Sequence, residues 1–396
     1  MTKKVAILGS TGSIGKSLLN IIASDKNNFQ IVLLTANKNH KLLLNQAKKF
    51  NVKNVIITNK KSYEILKDRL KKNKSINVFN NYNSFNKILK KKIYYTMSSI
   101  SGINGLSPTL KIIKYTKNIA IANKESIIIA WNLISKELKK NKTNFIPVDS
   151  EHFSIWYGLN NYESSNLDKI YLTASGGPFS NLALQEFKKI KLKQALNHPN
   201  WRMGKKISID SATLMNKMLE LIEAHKLFSI DFKKIDIVIH PESLVHAVIE
   251  FKNGLFKFIY HETTMLIPLA NAIFGQDIDI NDYLKIKKKR KNSVFFKNLN
   301  FLKVDIKRFP IIKLKNRVNE HISTPIIINA ANEILVDQYL KEKISFNTFY
   351  KYLTQVLNDR NYKKYAIKEP KNIDQIFQVD KWSRSTVYKK INYKNA

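Results

Sequence analysis

The sequence contains no cysteine among its 396 residues. A chain without thiols forms no disulfide and uses no cysteine nucleophile, which is typical of proteins that work in a reducing cytosol. Long apolar runs are missing as well, since none reaches the ~18 residues that a transmembrane helix requires. The first apolar strand begins by Val5 and leaves no room for a signal peptide. We therefore expect a cytoplasmic protein with no membrane partner.

Acidic residues are scarce: 30 of them stand against 68 lysines and arginines, which gives a formal net charge of +38. Such a charge is typical of nucleic-acid-binding proteins. However, lysines are spread over the whole length, and the densest basic run, Lys287–Lys291, lies in a segment that we interpret as a linker. We therefore expect no specific nucleic-acid partner, and a basic nucleic-acid-binding protein is the alternative from a different class. The positive charge would also attract an anionic sugar phosphate and an anionic cofactor.

The N-terminus has the pattern of a dinucleotide-binding βαβ unit. An apolar strand, Val5–Leu8, leads through a glycine-rich turn into a segment with a helical apolar stripe. Gly9, Gly12 and Gly15 follow the spacing G-x-x-G-x-x-G, which is moderately specific because the usual fingerprint is G-x-G-x-x-G. A glycine-rich turn that binds no ligand is the alternative.

The second predicted strand, Phe29–Leu34, indicates which nicotinamide cofactor is bound. In NAD-binding domains an acidic residue at the end of this strand binds the ribose 2′-hydroxyl. Here residues 35–39 read TANKN, with no acid and one cation. Because Lys38 can bind a 2′-phosphate that a carboxylate would repel, the sequence favours NADPH over NADH.

Paired carboxylates follow another predicted strand. The apolar segment Phe145–Val148 ends directly before Asp149 and Glu151. Two carboxylates at this spacing can bind one hard cation, and all-oxygen ligation suits Mg²⁺ or Mn²⁺. A solvated acidic turn is the alternative, although acids are scarce in this chain. Residues 123–125 (NKE) also follow a strand-like segment, and ligands bind at the carboxyl ends of strands in open α/β sheets.

The segment His198–Glu220 carries an imidazole, an indole, hydroxyls, an amide, an ammonium and a carboxylate, which few core segments need. We predict that a helix begins near Asp210 or Ser211. At roughly 100° per residue its apolar residues form one face: Leu214, Met215, Met218, Leu219, Leu221 and Ile222. The helix N-terminus would favour a phosphate, because its free N–H groups and dipole attract anions. The side chains near that end are Ser211, Thr213, Asn216 and Lys217, with Glu220 about a turn further. An amphipathic surface helix with a weak Lys217–Glu220 pair is the alternative.

The order of apolar segments predicts an α/β protein with three domains. Residues 1–148 alternate strands and helices, which predicts a doubly wound (Rossmann-like) parallel sheet that binds NADPH. Residues 149–275 contain the strand-like segments KIYLTA, KISID and IDIVIH and a hairpin that turns at Asn253-Gly254. This pattern predicts a partly antiparallel α+β domain, and because it carries Asp149, Glu151 and the His198–Glu220 segment we expect it to be the catalytic domain for metal and substrate. Residues 276–300 are predicted to be a linker, and residues 301–396 a C-terminal helical domain.

Eight motifs resemble the 1-deoxy-D-xylulose 5-phosphate reductoisomerase family, in the family's order and at its approximate spacing. They are GSTGSIG (9–15), ANKES (122–126), PVDSEH (147–152), SGGPF (175–179), HPNWRMG (198–204), KISIDSATLMNK (206–217), HP (240–241) and NAANE (329–333). The chain departs from the family pattern in three places. Asn37 replaces a usual glycine, Glu242 replaces a common glutamine, and residues 261–268 lack the acidic and basic residues often found there.

The resemblance implies an NADPH-dependent oxidoreductase that also requires a divalent cation, Mn²⁺ or Mg²⁺, with Co²⁺ as a further alternative. The implied reaction rearranges 1-deoxy-D-xylulose 5-phosphate to a branched aldose phosphate and reduces it to 2-C-methyl-D-erythritol 4-phosphate, in non-mevalonate isoprenoid biosynthesis. Whether the rearrangement is a retro-aldol reaction or a direct shift stays open. Another NADP-dependent oxidoreductase of a phosphorylated substrate is the alternative within the same class. The family also suggests a homodimer.

The resemblance assigns a role to each matching residue. The implied metal ligands are Asp149, Glu151 and Glu220, which with Lys124 and His198 form the catalytic group. The implied substrate contacts are Lys124, Ser150, Glu151, Ser175, His198, Trp201, Ser211, Asn216, Lys217 and Glu220, of which Ser175, Ser211, Asn216 and Lys217 would hold the phosphate. The implied cofactor contacts are Thr11, Gly12, Ser13, Ile14, Asn37, Lys38, Asn39, Asn123, Glu125 and Gly204. We further interpret Trp201 as part of a lid over the substrate, with a buried core tryptophan as the alternative.

Overall fold

The computed structural model describes residues 2–71, 75–160, 164–201, 203–275, 278–280 and 298–392. The chain divides into two compact units, each built from separate stretches of sequence. The first unit contains residues 1–126, 132–153 and 265–297, and the second contains residues 127–131, 154–264 and 298–396. The domain limits predicted from the sequence stay a prediction. The basic run Lys287–Lys291 and most of the predicted linker lie outside the described residues.

The first unit is built on a seven-stranded sheet. Its strands are β1 (Lys3–Leu8), β2 (Phe29–Ala36), β3 (Asn54–Ile57), β4 (Asn77–Phe79), β5 (Ile93–Ser98), β6 (Thr116–Ile121) and β7 (Asn144–Pro147). The spatial order is β4-β3-β2-β1-β5-β6-β7, and every neighbouring pair is parallel. The chain order reverses between β1 and β5, which is where open α/β sheets bind their ligands.

Helices connect these strands. Those within this unit are α1 (Ser13–Ala23), α2 (His40–Lys49), α3 (Lys60–Arg69), α4 (Phe85–Ile88) and α5 (Leu106–Ile113), and α11 (Leu266–Phe274) also belongs to it. Two further helices, α6 (Lys124–Lys140) and α7 (Ser150–Gly158), begin in this unit, and part of each is assigned to the second. Strands in the middle of a parallel sheet are rich in apolar residues because helices cover both of its faces. In β1 the residues from Val5 to Leu8 are fully buried, and in α1 the stripe Leu18, Leu19, Ile21 and Ile22 packs into the same core.

The second unit contains a five-stranded mixed sheet. Its strands are β8 (Leu167–Ala174), β9 (Ile235–Ile239), β10 (Val245–Phe251), β11 (Phe256–Tyr260) and β12 (Leu302–Lys303). The order is β11-β10-β8-β9-β12, with only the β8–β9 pair parallel. The predicted hairpin at Asn253-Gly254 is confirmed, and Gly254 has the positive φ of +82° that its turn requires. The sequence does not predict β12, because a strand of two residues shows no alternation.

The α-helices of the second unit flank this sheet and continue to the C-terminus. They are α8 (Leu192–Leu196), α9 (Lys205–Ala212), α10 (Met215–Phe228), α12 (Thr324–Leu340), α13 (Phe349–Leu357), α14 (Tyr362–Ala366) and α15 (Ile373–Asn392). The α/β fold class, with a Rossmann-like parallel sheet, a second sheet and a helical C-terminal region, is confirmed. Among the described residues, no helix is long and apolar enough to cross a membrane.

Two predictions about residues 206–214 are wrong. The segment KISID, read as a strand, lies inside α9, and the next helix begins at Met215 rather than near Asp210 or Ser211. The two helices are separated by Leu214, whose φ of +65° breaks the regular backbone. Beside the break, the Thr213 hydroxyl donates to the carbonyl oxygen of Ile209 at 3.0 Å. Such a side-chain hydrogen bond competes with the backbone hydrogen bonds of a helix. Periodicity could not reveal the break, because apolar residues continue across it.

Gly15 offers a test of how tightly the turn after β1 packs. A Cβ at this position would lie 2.6 Å from the carbonyl oxygen of Gly9 and 2.6 Å from Cα of Ser10, and backbone atoms cannot rotate away. We expect Gly15→Ala to lower the free energy of unfolding by about 1–3 kcal/mol, because the turn must shift. Chemical denaturation measures this change. The control is Gly204→Ala, since no atom lies within 4 Å of its Cβ position; equal losses in both variants would contradict the prediction.

Candidate active site

The turn after β1 packs closely against the loop after β5 and leads into the start of α1. Gly9 has a φ of +83°, and a Cβ there would lie 2.9 Å from the carbonyl oxygen of Ser99. Gly12 caps α1 with extended backbone and no side-chain hydrogen bond, so no side chain covers the first N–H groups of the helix. The turn is held by the Gly9 N–H, which donates to Thr35 Oγ1 at 3.0 Å. This arrangement suits the pyrophosphate of a dinucleotide.

The loop after β2 is exposed and contains one cation. Asn37 donates its side-chain amide to Thr58 Oγ1 at 2.8 Å, and the side-chain oxygen of Asn39 accepts the Leu42 N–H at 3.1 Å. Lys38 is exposed, and it forms no ion pair with any described residue. The structure thus leaves Lys38 available to an anionic group, whereas both asparagines shape the loop.

The carboxyl end of β6 leads directly into α6. Asn123 caps this helix, because its side-chain oxygen accepts the Ser126 N–H at 3.2 Å. The Asn123 amide also donates to the carbonyl oxygens of Ile100 at 2.6 Å and Gly102 at 2.8 Å. Asn123 therefore fixes the loop after β5 against the start of α6, which carries Lys124.

An ion pair joins the ends of two neighbouring strands, β6 and β7. The Lys124 ammonium lies 2.8 Å from Asp149 Oδ2. The other oxygen of Asp149 lies 3.7 Å from Nδ1 of His152, which is fully buried. Burial alone would raise the pKa of Asp149, but Lys124 and His152 outweigh burial and hold it well below its usual range. Asp149 is therefore ionised at neutral pH, as a metal ligand must be.

Glu151 lies in the first turn of α7, two residues after Asp149. Its Oε2 accepts the Ser150 hydroxyl at 2.7 Å, and both side chains are at least nine-tenths buried. The alternative of a solvated acidic turn is therefore wrong. His152 has no role in the predictions from sequence. Its spacing of three residues from Asp149 at a helix start could have indicated this contact.

In the second unit, the turn after β8 brings a serine to an imidazole. Ser175 Oγ lies 3.1 Å from Nε2 of His198 and accepts the Gly177 N–H at 3.0 Å. Gly177 has a φ of +63°, and a Cβ there would lie 3.1 Å from the carbonyl oxygen of Ser211. The turn thus packs against the end of α9, so that Ser175, His198 and Ser211 come from three separate segments to one region.

The protonation of His198 follows from its hydrogen bonds. Nδ1 accepts the N–H groups of Asn200 at 3.2 Å and Trp201 at 3.0 Å, so a neutral ring carries its proton on Nε2 and donates it to Ser175. Burial, followed by the charge of Lys217, lowers the pKa of His198 to about 4. The imidazole is therefore neutral at physiological pH. His198 also shapes the loop that carries Trp201.

Trp201 is partly exposed, and its ring meets the edge of His246 at a centroid distance of 6.2 Å. His246 in turn stacks on His261 at 3.7 Å, and burial lowers the pKa of both imidazoles. Asn200 ties the same loop to the turn after β9 by donating to the carbonyl oxygen of Pro241 at 2.8 Å. The tryptophan is therefore not a fully buried core residue, and its role as a lid stays a prediction.

Glu220 lies in α10 with its side chain 2% exposed. Its Oε2 is 2.5 Å from the ammonium of Lys217, and its Oε1 accepts the side-chain amide of Asn216. The alternative of a surface helix is wrong, because Lys217 and Glu220 are both buried. Ser211, expected at the N-terminus of this helix, instead lies in the last turn of α9. Asn216 and Ser211 are both partly exposed.

The predicted site residues fall into two groups, each within one unit. The first unit holds Thr11, Gly12, Ser13, Ile14, Asn37, Lys38, Asn39, Asn123, Lys124, Glu125, Asp149, Ser150 and Glu151. The second holds Ser175, His198, Trp201, Gly204, Ser211, Asn216, Lys217 and Glu220. Glu242, a departure from the family pattern, accepts the side-chain amide of Asn300 at 2.6 Å and lies 3.0 Å from Nδ1 of His240.

Family models match the chain in three segments. Residues 5–130 match 1-deoxy-D-xylulose 5-phosphate reductoisomerase, residues 145–228 match the C-terminal domain of that enzyme, and residues 262–386 match the DXP reductoisomerase C-terminal domain. The 1-deoxy-D-xylulose 5-phosphate reductoisomerase of Pelagibacter ubique (strain HTCC1062) is 52% identical over 377 residues, which cover 94% of this chain and 96% of the relative.

Solved structures agree with this match. The reductoisomerase from Zymomonas mobilis in complex with NADPH is 32% identical, with a TM-score of 0.86 and 99% of each chain covered. A DOX-P reductoisomerase in complex with NADPH, fosmidomycin and magnesium is 31% identical, with a TM-score of 0.88 and 99% of each chain covered. The resemblance seen in the sequence motifs is confirmed, and the chain belongs to the 1-deoxy-D-xylulose 5-phosphate reductoisomerase family.

Proposed function

We propose that this chain converts 1-deoxy-D-xylulose 5-phosphate to 2-C-methyl-D-erythritol 4-phosphate with NADPH and a divalent cation, in non-mevalonate isoprenoid biosynthesis. The observation that carries the proposal is the family match over nearly the whole chain, together with an ionised Asp149 beside Lys124. Another NADP-dependent oxidoreductase would have the same glycine turn. It would not need carboxylates for a metal ion in addition to a site for the substrate phosphate.

The first unit fits NADPH. Gly9 and Gly15 let the backbone of the turn pack closely where a Cβ would clash with backbone atoms, and the uncapped start of α1 favours a pyrophosphate. Lys38 would pair with the 2′-phosphate, while Asn123 orients the neighbouring loop. Bound NADPH supplies the hydride for the reduction. The chain's contribution is to hold the cofactor and exclude NADH.

Carboxylate oxygens fit a divalent cation. We propose that the carboxylates of Asp149, Glu151 and Glu220 hold the cation, Mn²⁺ or Mg²⁺. A cation so held supplies Lewis acidity to adjacent substrate oxygens. Lys124 restrains Asp149 through their 2.8 Å contact, and Lys217 restrains Glu220 in the same way.

The phosphate group of the substrate fits the second unit. Ser175, Ser211, Asn216 and Lys217 offer hydroxyl, amide and ammonium donors, which are the groups that bind phosphate oxygens. The neutral His198 orients Ser175 by donating to its hydroxyl oxygen. We propose that Trp201 then covers the substrate's carbon skeleton as the loop closes and excludes water.

The direct test is an assay of the purified chain with 1-deoxy-D-xylulose 5-phosphate, NADPH and Mn²⁺. Oxidation of NADPH should require both substrate and metal, and the product should be 2-C-methyl-D-erythritol 4-phosphate by mass spectrometry and NMR. Metal-dependent oxidation with a different phosphorylated substrate only would favour the alternative oxidoreductase.

Removing single proposed ligands should stop turnover without removing the cofactor. We expect Asp149→Asn, Glu151→Gln and Glu220→Gln each to lower kcat at least ~10²-fold, and pairs of changes to cost little more, because the ligands act as a unit. NADPH affinity, measured by fluorescence titration, should stay within about twofold of the wild type. A variant that turns over normally at saturating Mn²⁺ would exclude that residue as a ligand.

The choice of NADPH should depend on Lys38. We expect Lys38→Glu to raise the KM for NADPH at least ~10-fold, because a carboxylate would repel the 2′-phosphate, with a smaller change for NADH. Steady-state kinetics with both cofactors measures the ratio. The matched control is Lys48→Glu, an equally exposed lysine at the other end of α2. If both variants keep the wild-type ratio, discrimination lies elsewhere.

We also propose that the chain forms a homodimer through the face of β11. This strand is at the edge of its sheet, and it exposes Phe256 and Phe258, each 49% exposed. Phe258 continues the apolar face by packing against Phe301 at 5.8 Å. An exposed apolar face on an edge strand is typical of an interface that a second copy covers.

Replacing Phe258 should therefore separate the subunits. Phe258→Lys places a charge within the proposed interface, and we expect the dimer dissociation constant to rise at least ~100-fold in analytical ultracentrifugation. The control is Phe377→Lys, an exposed aromatic residue on α15. A monomeric wild type, or a Phe258→Lys dimer as stable as the control, would contradict the proposed interface.

We place the protein in the cytoplasm, where a chain without cysteine has no disulfide to lose and NADPH is abundant. Fractionation of cells that make the full chain tests this location. Recovery with the membrane or periplasmic fraction would contradict it.

A further inference from the structure

The proposed chemistry gives no role to the NAANE motif (329–333), which lies in the middle of α12. Its Asn332 is fully buried. A buried amide costs free energy unless it is hydrogen-bonded, and asparagine also disfavours the interior of a helix. A buried asparagine at this position therefore indicates a specific partner.

That partner is Asp210 in α9. Asn332 Nδ2 donates to Asp210 Oδ1 at 2.7 Å, and Asp210 Oδ2 accepts from the Lys206 ammonium at 2.9 Å. A carboxylate only accepts hydrogen bonds, so the amide nitrogen of Asn332 must face it. Since the Asp210 side chain is 2% exposed, this chain of contacts, the Asn332–Asp210–Lys206 clamp, is shielded from water at its centre.

The clamp lies directly beside a residue of the proposed phosphate site. Asp210 precedes Ser211, and both are in the last turn of α9, before the left-handed Leu214. Neighbouring residues of a helix point about 100° apart, so fixing the rotation of α9 at Asp210 also fixes the direction of the Ser211 hydroxyl. Because the helix is interrupted after Thr213, no continuous helix holds this turn in place. A contact from another element, here Asn332 of α12, can do so instead.

We propose that Asn332 is a positioning residue, which holds the last turn of α9 so that Ser211 meets the substrate phosphate. The C-terminal helical region thereby sets phosphate affinity through a residue that does not touch the substrate. This inference rests on the proposed phosphate site but not on the reaction that follows binding.

An exchange of the two side chains tests the clamp. Asn332→Asp sets two buried carboxylates against each other, and we expect the KM for 1-deoxy-D-xylulose 5-phosphate to rise roughly tenfold or more, with a smaller change in kcat. Asp210→Asn keeps an oxygen that accepts from Asn332 and should have a milder effect. The double variant Asp210→Asn with Asn332→Asp restores a carboxylate–amide pair and should recover most of the affinity.

Asn329→Asp is the matched control, because Asn329 is equally buried in the same helix but contacts Glu333 rather than Asp210. It should lower the Tm without raising the KM, and Asp210→Asn should not rescue it. NADPH affinity should be unchanged in all of these variants. A KM that stays normal in Asn332→Asp, or that the double variant fails to improve, would overturn the clamp.

Inorganic phosphate separates this inference from the proposed reaction. Phosphate at millimolar concentration should raise the Tm of the wild type and of the double variant, but not that of Asn332→Asp. The same pattern in a protein that does not turn over 1-deoxy-D-xylulose 5-phosphate would refute the proposed reaction and keep the clamp. A wild type that does not respond to phosphate would overturn the clamp itself.

Discussion

The parallel direction of the seven-stranded sheet is the constraint on which the first unit depends. Because every neighbouring pair is parallel, the carboxyl ends of β1, β2, β6 and β7 lie at one edge. The glycine turn, the loop with Lys38, the Asn123 cap and Asp149 therefore lie along that edge, although about 140 residues of sequence separate Gly9 from Asp149. The Lys124–Asp149 pair joins two of these ends and depends directly on the parallel pairing of β6 with β7.

The chain has few acids, yet three carboxylates in or beside the candidate site are each paired with a lysine. Asp149 pairs with Lys124, Glu220 with Lys217, and Asp210 with Lys206. A buried carboxylate without such a partner would take up a proton rather than remain charged. For Asp149, Lys124 and His152 outweigh burial and hold the pKa well below its usual range, so this carboxylate is ionised before any cation binds.

In the second unit, His198 acts as a neutral group rather than a charged one. His198 accepts two backbone N–H groups at Nδ1 and keeps its proton on Nε2, while burial and Lys217 lower its pKa to about 4. A neutral imidazole can orient Ser175 without adding a further positive charge beside Lys217. The same ring also accepts backbone hydrogen bonds from the loop that carries Trp201, so His198 holds both Ser175 and this loop in place.

The sequence alone determined the fold class, the family and most of the candidate residues. Glycine spacing, strand alternation and short polar motifs are local patterns, and local patterns are sufficient for β1, the Asn253-Gly254 hairpin and the PVDSEH turn. The helix break at Leu214 and the pairing of Asn332 with Asp210 were decided only by the tertiary structure. The break lies in the local backbone at Leu214, where apolar residues continue without interruption, and the pairing depends on burial and a hydrogen bond that become available only when distant segments pack, so periodicity along the chain reveals neither.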